Sequence, residues 1–249
     1  MCAGNWQPVA GKIKTRWAKT VNPDCPLPEY PRPQLQRDRW LNLNGLWDYA
    51  LLPRDQENIS KFDGQILVPF AIESSLSGVM KPLMPDQRLW YRRSFRVPAD
   101  WQGEHVMLRF GAVDWETTVW CNGEEVGVHK GGYDPFSFDL SDFLQWDRDN
   151  ELLVAVWDPS NEGRQERGKQ TLSPGFVFYT AVSGIWQTVW IEPVPETTIE
   201  HLYLTPDIDR ENLKIQVDCS QCSSGFTLLA EAKSGDQVVA IKTCPAGTA

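Results

Sequence analysis

The sequence predicts an all-β protein, a sandwich or a barrel. Three observations carry this. Short runs rich in β-branched and aromatic residues recur along the chain with turn residues between them. Asn122-Gly123 sits between two such runs, and it suits a type I′ hairpin turn, in which both central residues need φ > 0. Helix signals are nearly absent; the best is Asp139–Leu144, one or two turns that Ser141 could cap.

The elements follow in order. Residues 1–40 hold six prolines, four of them between Pro26 and Pro33. Proline fixes φ and removes a donor, so an extended lead-in is expected, pinned to a surface by Trp6 and Trp17. Strands are expected at 45–52, at 65–69 where Pro69 ends the run, and at 90–97, 106–110, 115–121, 125–128, 151–157 and 186–192. Pro193-Val-Pro195 marks a boundary. Beyond it, 199–206, 212–219, 226–233 and 237–243 again read as strands. Four strands make half of an immunoglobulin-like sandwich, which takes roughly 100 residues and seven strands. The expected organisation is a lead-in over 1–40, a sandwich over 41–195 and an incomplete immunoglobulin-like sandwich over 196–249, as part of a longer protein.

Composition narrows the function. A net charge of −9 over 249 residues, with only residues 1–40 basic, disfavours nucleic acid and anionic membrane surfaces as partners. No apolar run reaches the roughly 18 residues of a membrane span. The N-terminus lacks the apolar core of a signal peptide. That leaves a cytoplasmic protein, or an extracytoplasmic one, periplasmic or secreted, whose leader is removed; Cys2 reads as incidental, or else as the first mature residue of a lipoprotein whose leader was replaced by Met. Cys219 and Cys222 have CxxC spacing without a second pair, a weak metal signal, and fit two thiols near a turn or an opportunistic disulfide. Twelve tryptophans suit both a large core and stacking on sugar rings.

No GxSxG, HExxH, Walker or GxGxxG motif is present, and the three histidines are scattered. Two loops stand out. His129-Lys-Gly-Gly-Tyr-Asp-Pro-Phe136 combines close-approach glycines with a ring that has a polar end; it reads either as a crossover with Pro135 and Phe136 packed inward, or as a contact surface through His129, Tyr133 and Asp134. Residues 158–169, with Asp158 and Asn161, form a charged loop that is either solvated or ordered against a partner domain.

Five segments in register resemble the sugar-binding domain of glycoside hydrolase family 2. They are Leu43–Trp47, Trp90–Phe95, Phe110–Gly127, His129–Leu140 and Ser183–Ile191. The resemblance implies a jelly-roll, galactose-binding-domain-like β-sandwich followed by a partial immunoglobulin-like β-sandwich and then a catalytic (β/α)₈ barrel. It implies that both catalytic glutamates lie in that barrel, so no catalytic residue falls within these 249. It further implies a carbohydrate substrate, no cofactor and no metal, and a possible homo-oligomer. The family includes β-galactosidases, β-glucuronidases and β-mannosidases. The aspartate that β-galactosidases carry after the Asn-Gly hairpin falls at Gly131 here, and no asparagine follows Val68-Pro69; the His-x-Gly-Gly-Tyr-x-Pro-Phe form is closer to β-glucuronidases. Carbohydrate contacts are expected at His129, Tyr133, Asp134, Asp158 and Asn161. The competing expectations are a free-standing carbohydrate-binding module or adhesin, and a ligand-free sandwich that helps an enzyme dimerise.

Overall fold

The computed structural model describes residues 6–11, 13–222 and 225–247. It contains two compact units, one of residues up to Pro31 with Arg37–Pro193, the other of Arg32–Gln36 with residues from Val194 onward.

In the first unit the strands are β1 (Leu41–Asn42), β2 (Gly45–Pro53), β3 (Gly64–Val68), β4 (Gln87–Phe95), β5 (His105–Phe110), β6 (Val113–Asp114) and β7 (Glu116–Cys121). They continue with β8 (Glu124–Lys130), β9 (Phe136–Asp139), β10 (Asn150–Trp157), β11 (Gln170–Thr171), β12 (Tyr179–Thr180), β13 (Gly184–Ile185) and β14 (Val189–Val194). One sheet has the order β3-β2-β4-β10-β7-β8, the other β1-β14-β5-β9. Strand alternation explains their packing. In β7, Thr117, Val119 and Cys121 are buried while Glu116, Thr118 and Trp120 turn outward. In β5, Val106, Leu108 and Phe110 are buried. These inward rows meet in one core with Trp47, Tyr91, Val154 and Ile191. Fully burying one such side chain is worth roughly 1.5–3 kcal/mol.

A smaller apolar cluster lies on the outer face of the six-stranded sheet. Ala50, Trp90 and Ala155 are covered there by Ile59 and Phe62 from the segment after β2. Trp90 stacks on Trp120 with ring centroids 5.4 Å apart.

No α-helix occurs among the described residues. The 139–144 segment is a 3₁₀ turn over Ser141–Phe143 without a side-chain cap. The Ser141 hydroxyl instead donates to the Asp139 carboxylate and accepts from the Val106 N–H. The last long strand begins at Val189, three residues later than expected, because Gly184 has φ of +83° and the N–H groups of Trp186 and Gln187 both reach the Ala112 carbonyl. Trp6 anchors the lead-in through an indole bond to the Leu76 carbonyl at 3.2 Å. Trp17 does not anchor it: the ring is 61% exposed, under the Arg16 guanidinium.

The second unit contains two antiparallel hairpins. One pairs β15 (Ile199–Asp207) with β16 (Asn212–Cys219), the other β17 (Thr227–Ser234) with β18 (Gln237–Pro245). Tyr203, Leu213, Leu229, Val239 and Ile241 are all exposed. Cys219 and Cys222 are free thiols beside the turn after β16.

Candidate functional site

The β7–β8 hairpin turns at Asn122 and Gly123 with φ of 52° and 88°, the positive pair that a type I′ turn requires. At the far end of β8 the chain reverses at Gly131 and Gly132. Gly132 lies against the carboxylate of Asp114: an added Cβ would stand 2.4 Å from its Oδ1. Only glycine permits that approach. The Trp186 indole N–H donates to the Gly132 carbonyl at 2.8 Å and holds the turn in place.

Tyr133, at the tip, is 46% exposed and meets Trp186 edge-on at 6.1 Å. Its hydroxyl accepts a hydrogen bond from Gln170 Nε2 at 3.0 Å. The same amide donates to Asp114 Oδ2 at 3.3 Å, while Gln170 Oε1 accepts from the Val182 N–H at 2.6 Å. An amide NH₂ carries two donors, so it can serve both partners. A chain of polar groups thus leads from an exposed ring to a buried acid.

Asp114 has two acidic neighbours. Asp158 is buried and accepts from the Ser160 N–H and the Ser183 hydroxyl, each at 2.6 Å. Glu73 Oε2 accepts from the Ser183 N–H at 3.0 Å. Gly184 pairs with Asp114 across the β6–β13 ladder. Three carboxyl groups therefore converge on Ser183-Gly184, and none of them forms an ion pair among the described residues. Burial, reinforced by repulsion from Asp158, lifts the Asp114 carboxyl to about 7. Burial lifts Glu73 to about 7 and also raises Asp158. Asp114 Oδ1 and Glu73 Oε1 are buried and accept no hydrogen bond from described residues.

This geometry sorts the candidate residues. Tyr133, Asp158 and Asn161 border one polar cluster; Asn161 Oδ1 accepts from the Leu172 N–H at 3.0 Å, and its carbonyl accepts from Arg167. Asp158 does not reach solvent. Both its oxygens are engaged internally, so it holds the start of the 158–169 loop rather than offering a free carboxylate. His129 stands apart, stacked on Phe136 with centroids 4.0 Å apart, and burial lowers its pKa. Asp134 is exposed. Asp114, Glu73 and Gln170 complete the cluster and were not among the expected residues. The site can offer hydroxyl-bonding groups beside aromatic rings. No group of three or more His, Cys, Asp or Glu among the described residues is arranged to hold a metal ion.

Comparison with known proteins gives this sandwich a family. Residues 79–193 match the model of the sugar binding domain of glycosyl hydrolases family 2. A beta-galactosidase of Thermoanaerobacter pseudethanolicus is 30% identical over 207 residues, covering 80% of this chain and 26% of that protein. A beta-glucuronidase of Paenibacillus borealis is 24% identical over 77% of this chain and 35% of its own length. Among solved structures, a β-glucuronidase of Ruminococcus gnavus superposes with a TM-score of 0.64 at 21% identity, over 87% of this chain and 39% of that one, a likeness of fold. The chain spans roughly a quarter to two fifths of the length of these relatives. Through residues 79–193, it carries the sugar binding domain of glycosyl hydrolases family 2.

Proposed function

We propose that this chain is the non-catalytic N-terminal portion of a retaining exo-β-glycosidase, and that its first sandwich forms one wall of the sugar pocket. One observation carries the reading. A sugar binding domain occupies 79–193 of a chain that matches only 26% and 35% of the beta-galactosidase and beta-glucuronidase cited above. In such an enzyme, two carboxylates on a C-terminal (β/α)₈ barrel would perform double displacement through a covalent glycosyl intermediate, without a cofactor. Residues 196–249 would open an immunoglobulin-like sandwich between the two. The exposed apolar residues of both hairpins support that, since a completed sandwich buries such faces. The substrate class is a β-galactoside or a β-glucuronide.

The wall would be the Tyr133 end of the sandwich. Tyr133 and Trp186 offer ring faces, and the Gln170 amide links the Tyr133 hydroxyl to Asp114. Turnover of nitrophenyl β-galactoside and β-glucuronide by the chain alone and by the full-length enzyme tests the proposal. The chain alone should give no turnover, since general acid–base assistance by itself is worth about 10²–10⁴-fold. The full-length enzyme should turn over one of the two. Turnover by the purified chain would refute the assignment.

A further inference from the structure

One end of the six-stranded sheet carries a row of outward side chains in register. Leu52 pairs with Arg88, Trp157 with Glu116, and Glu116 with Lys130; the pairing of Val156 with Leu89 sets Trp157 beside Arg88. Their neighbours Leu89, Val156 and Thr117 are fully buried. Alternation therefore sends the row to the outer face. It crosses five strands, a span of about 19 Å at the usual strand spacing. The segment holding Ile59 and Phe62 covers the apolar cluster on the same face. Along the row lies an open groove of about 430 Å³, and a neighbouring depression of about 550 Å³ shares Arg54, Pro85 and Glu162 with it.

The groove has flat walls. Trp115 lines it, as does Trp157, whose ring lies 3.5 Å from the Arg54 guanidinium carbon. The Trp157 indole N–H donates to the Pro85 carbonyl at 2.7 Å, which fixes the ring. The rim is held as well. The Glu162 N–H donates to the Pro159 carbonyl at 2.9 Å, and Gln165 Nε2 donates to the Ser160 carbonyl at 2.9 Å. Glu162, Arg164 and Gln165 thus project from a pinned loop. Charges along the two depressions balance: Arg54, Arg88, Lys130 and Arg164 face Asp55, Asp86, Glu116 and Glu162. That pattern gives a polyanion no net attraction. It offers guanidinium donors and carboxylate acceptors, with Lys130 and Glu116 paired to each other at 2.8 Å, a set that suits the hydroxyls of a neutral sugar.

We propose that this groove, whose lining includes neither Tyr133 nor Asp114, binds a neutral oligosaccharide. The site belongs to the chain itself and requires no catalytic domain. Calorimetric titration of the purified chain with cello-, xylo-, manno- and galacto-tetraose tests it, with the matching monosaccharides and polygalacturonate as controls. At least one tetrasaccharide should bind with a Kd of about 1 mM or tighter, and its monosaccharide about tenfold more weakly. Glu162→Ala and Arg164→Ala, both on the exposed rim, should each weaken binding about fivefold or more at an unchanged melting temperature. Trp157→Ala should abolish it, with the β-rich circular dichroism spectrum retained as the folding control. Three results would overturn the proposal: no tetrasaccharide binding at about 10 mM, binding indifferent to both rim variants, or binding of polygalacturonate alone. None of them bears on the turnover experiment, so the two readings fail separately.

Discussion

Two buried carboxylate sites in the first unit are built on opposite plans. Glu192 is fully buried and saturated. Its Oε1 lies 2.5 Å from Arg109 Nε and 3.2 Å from Arg37 Nε, while Oε2 accepts from the Tyr30 hydroxyl at 2.6 Å and the Trp190 indole at 3.0 Å. It ties the lead-in to β5 and β14. Asp114 is nearly as inaccessible, yet among the described residues it has one amide donor, two acidic neighbours and no cation. Burial is common to both; the donors differ. A buried carboxylate ringed by cations leaves those charges uncompensated when it is removed, whereas one left short of donors costs stability as it stands.

The largest expected effect breaks the saturated site. Glu192→Ala leaves Arg37 and Arg109 without their buried counter-charge, which should cost about 3–5 kcal/mol. A chain of this size should then melt lower by on the order of 10 °C, as calorimetry would show. Asp114→Asn should not behave this way. At pH 8 it should be neutral or stabilising, and a loss as large as that of Glu192→Ala would end the contrast.

The next effect is pH dependence, and its sign follows from the raised values. Asp114 and Glu73 move from 3.8 and 4.5 to about 7 on folding, so the folded chain holds their protons more tightly. Their contribution is complete below pH 4 and is lost as pH rises through 7. Between pH 5 and 8 the wild type should lose on the order of 2–3 kcal/mol from each of the two groups, and Asp114→Asn should flatten the curve in urea titrations. A steeper curve in the variant would show that the charge is stabilised by something else.

Gly132→Ala comes third. Its Cβ would collide with the Asp114 carboxylate at 2.4 Å, so the turn must move, at a cost of about 1–3 kcal/mol. Tyr133→Phe is the mildest. It removes one half-exposed hydrogen bond to Gln170 and should lower the unfolding free energy from urea titration by about 1 kcal/mol at most.

Much of the fold was legible because strand alternation is a local signal. The rows of β5, β7 and β10 stand in the sequence as written, and so does the Asn122-Gly123 turn. Four-residue β9 was not legible, since Phe136–Asp139 directly follows Pro135 and gains its partner β5 only through tertiary pairing. Trp17 was expected to bury because it is large, but nothing local says which lead-in tryptophan meets a surface. The site was half legible. The glycines and Tyr133 were visible as a loop with unusual backbone freedom. Asp114 carried a usable signal, an acid directly after the apolar pair Ala112-Val113, and Glu192 carried the same one inside Trp190–Val194. What the sequence does not show is which partners arrive: Gln170 for one, Tyr30, Arg37 and Arg109 for the other. That difference separates their roles.

Under the proposed function, the Tyr133 end faces substrate while Glu192 holds the fold. The most direct measurement is kcat/KM of the full-length enzyme carrying Tyr133→Ala, taken well below its melting temperature. A decrease of about tenfold or more, equivalent to 1.4 kcal/mol of transition-state binding, with the melting temperature nearly unchanged, is the predicted result. An unchanged kcat/KM would contradict it and leave Tyr133 as loop packing.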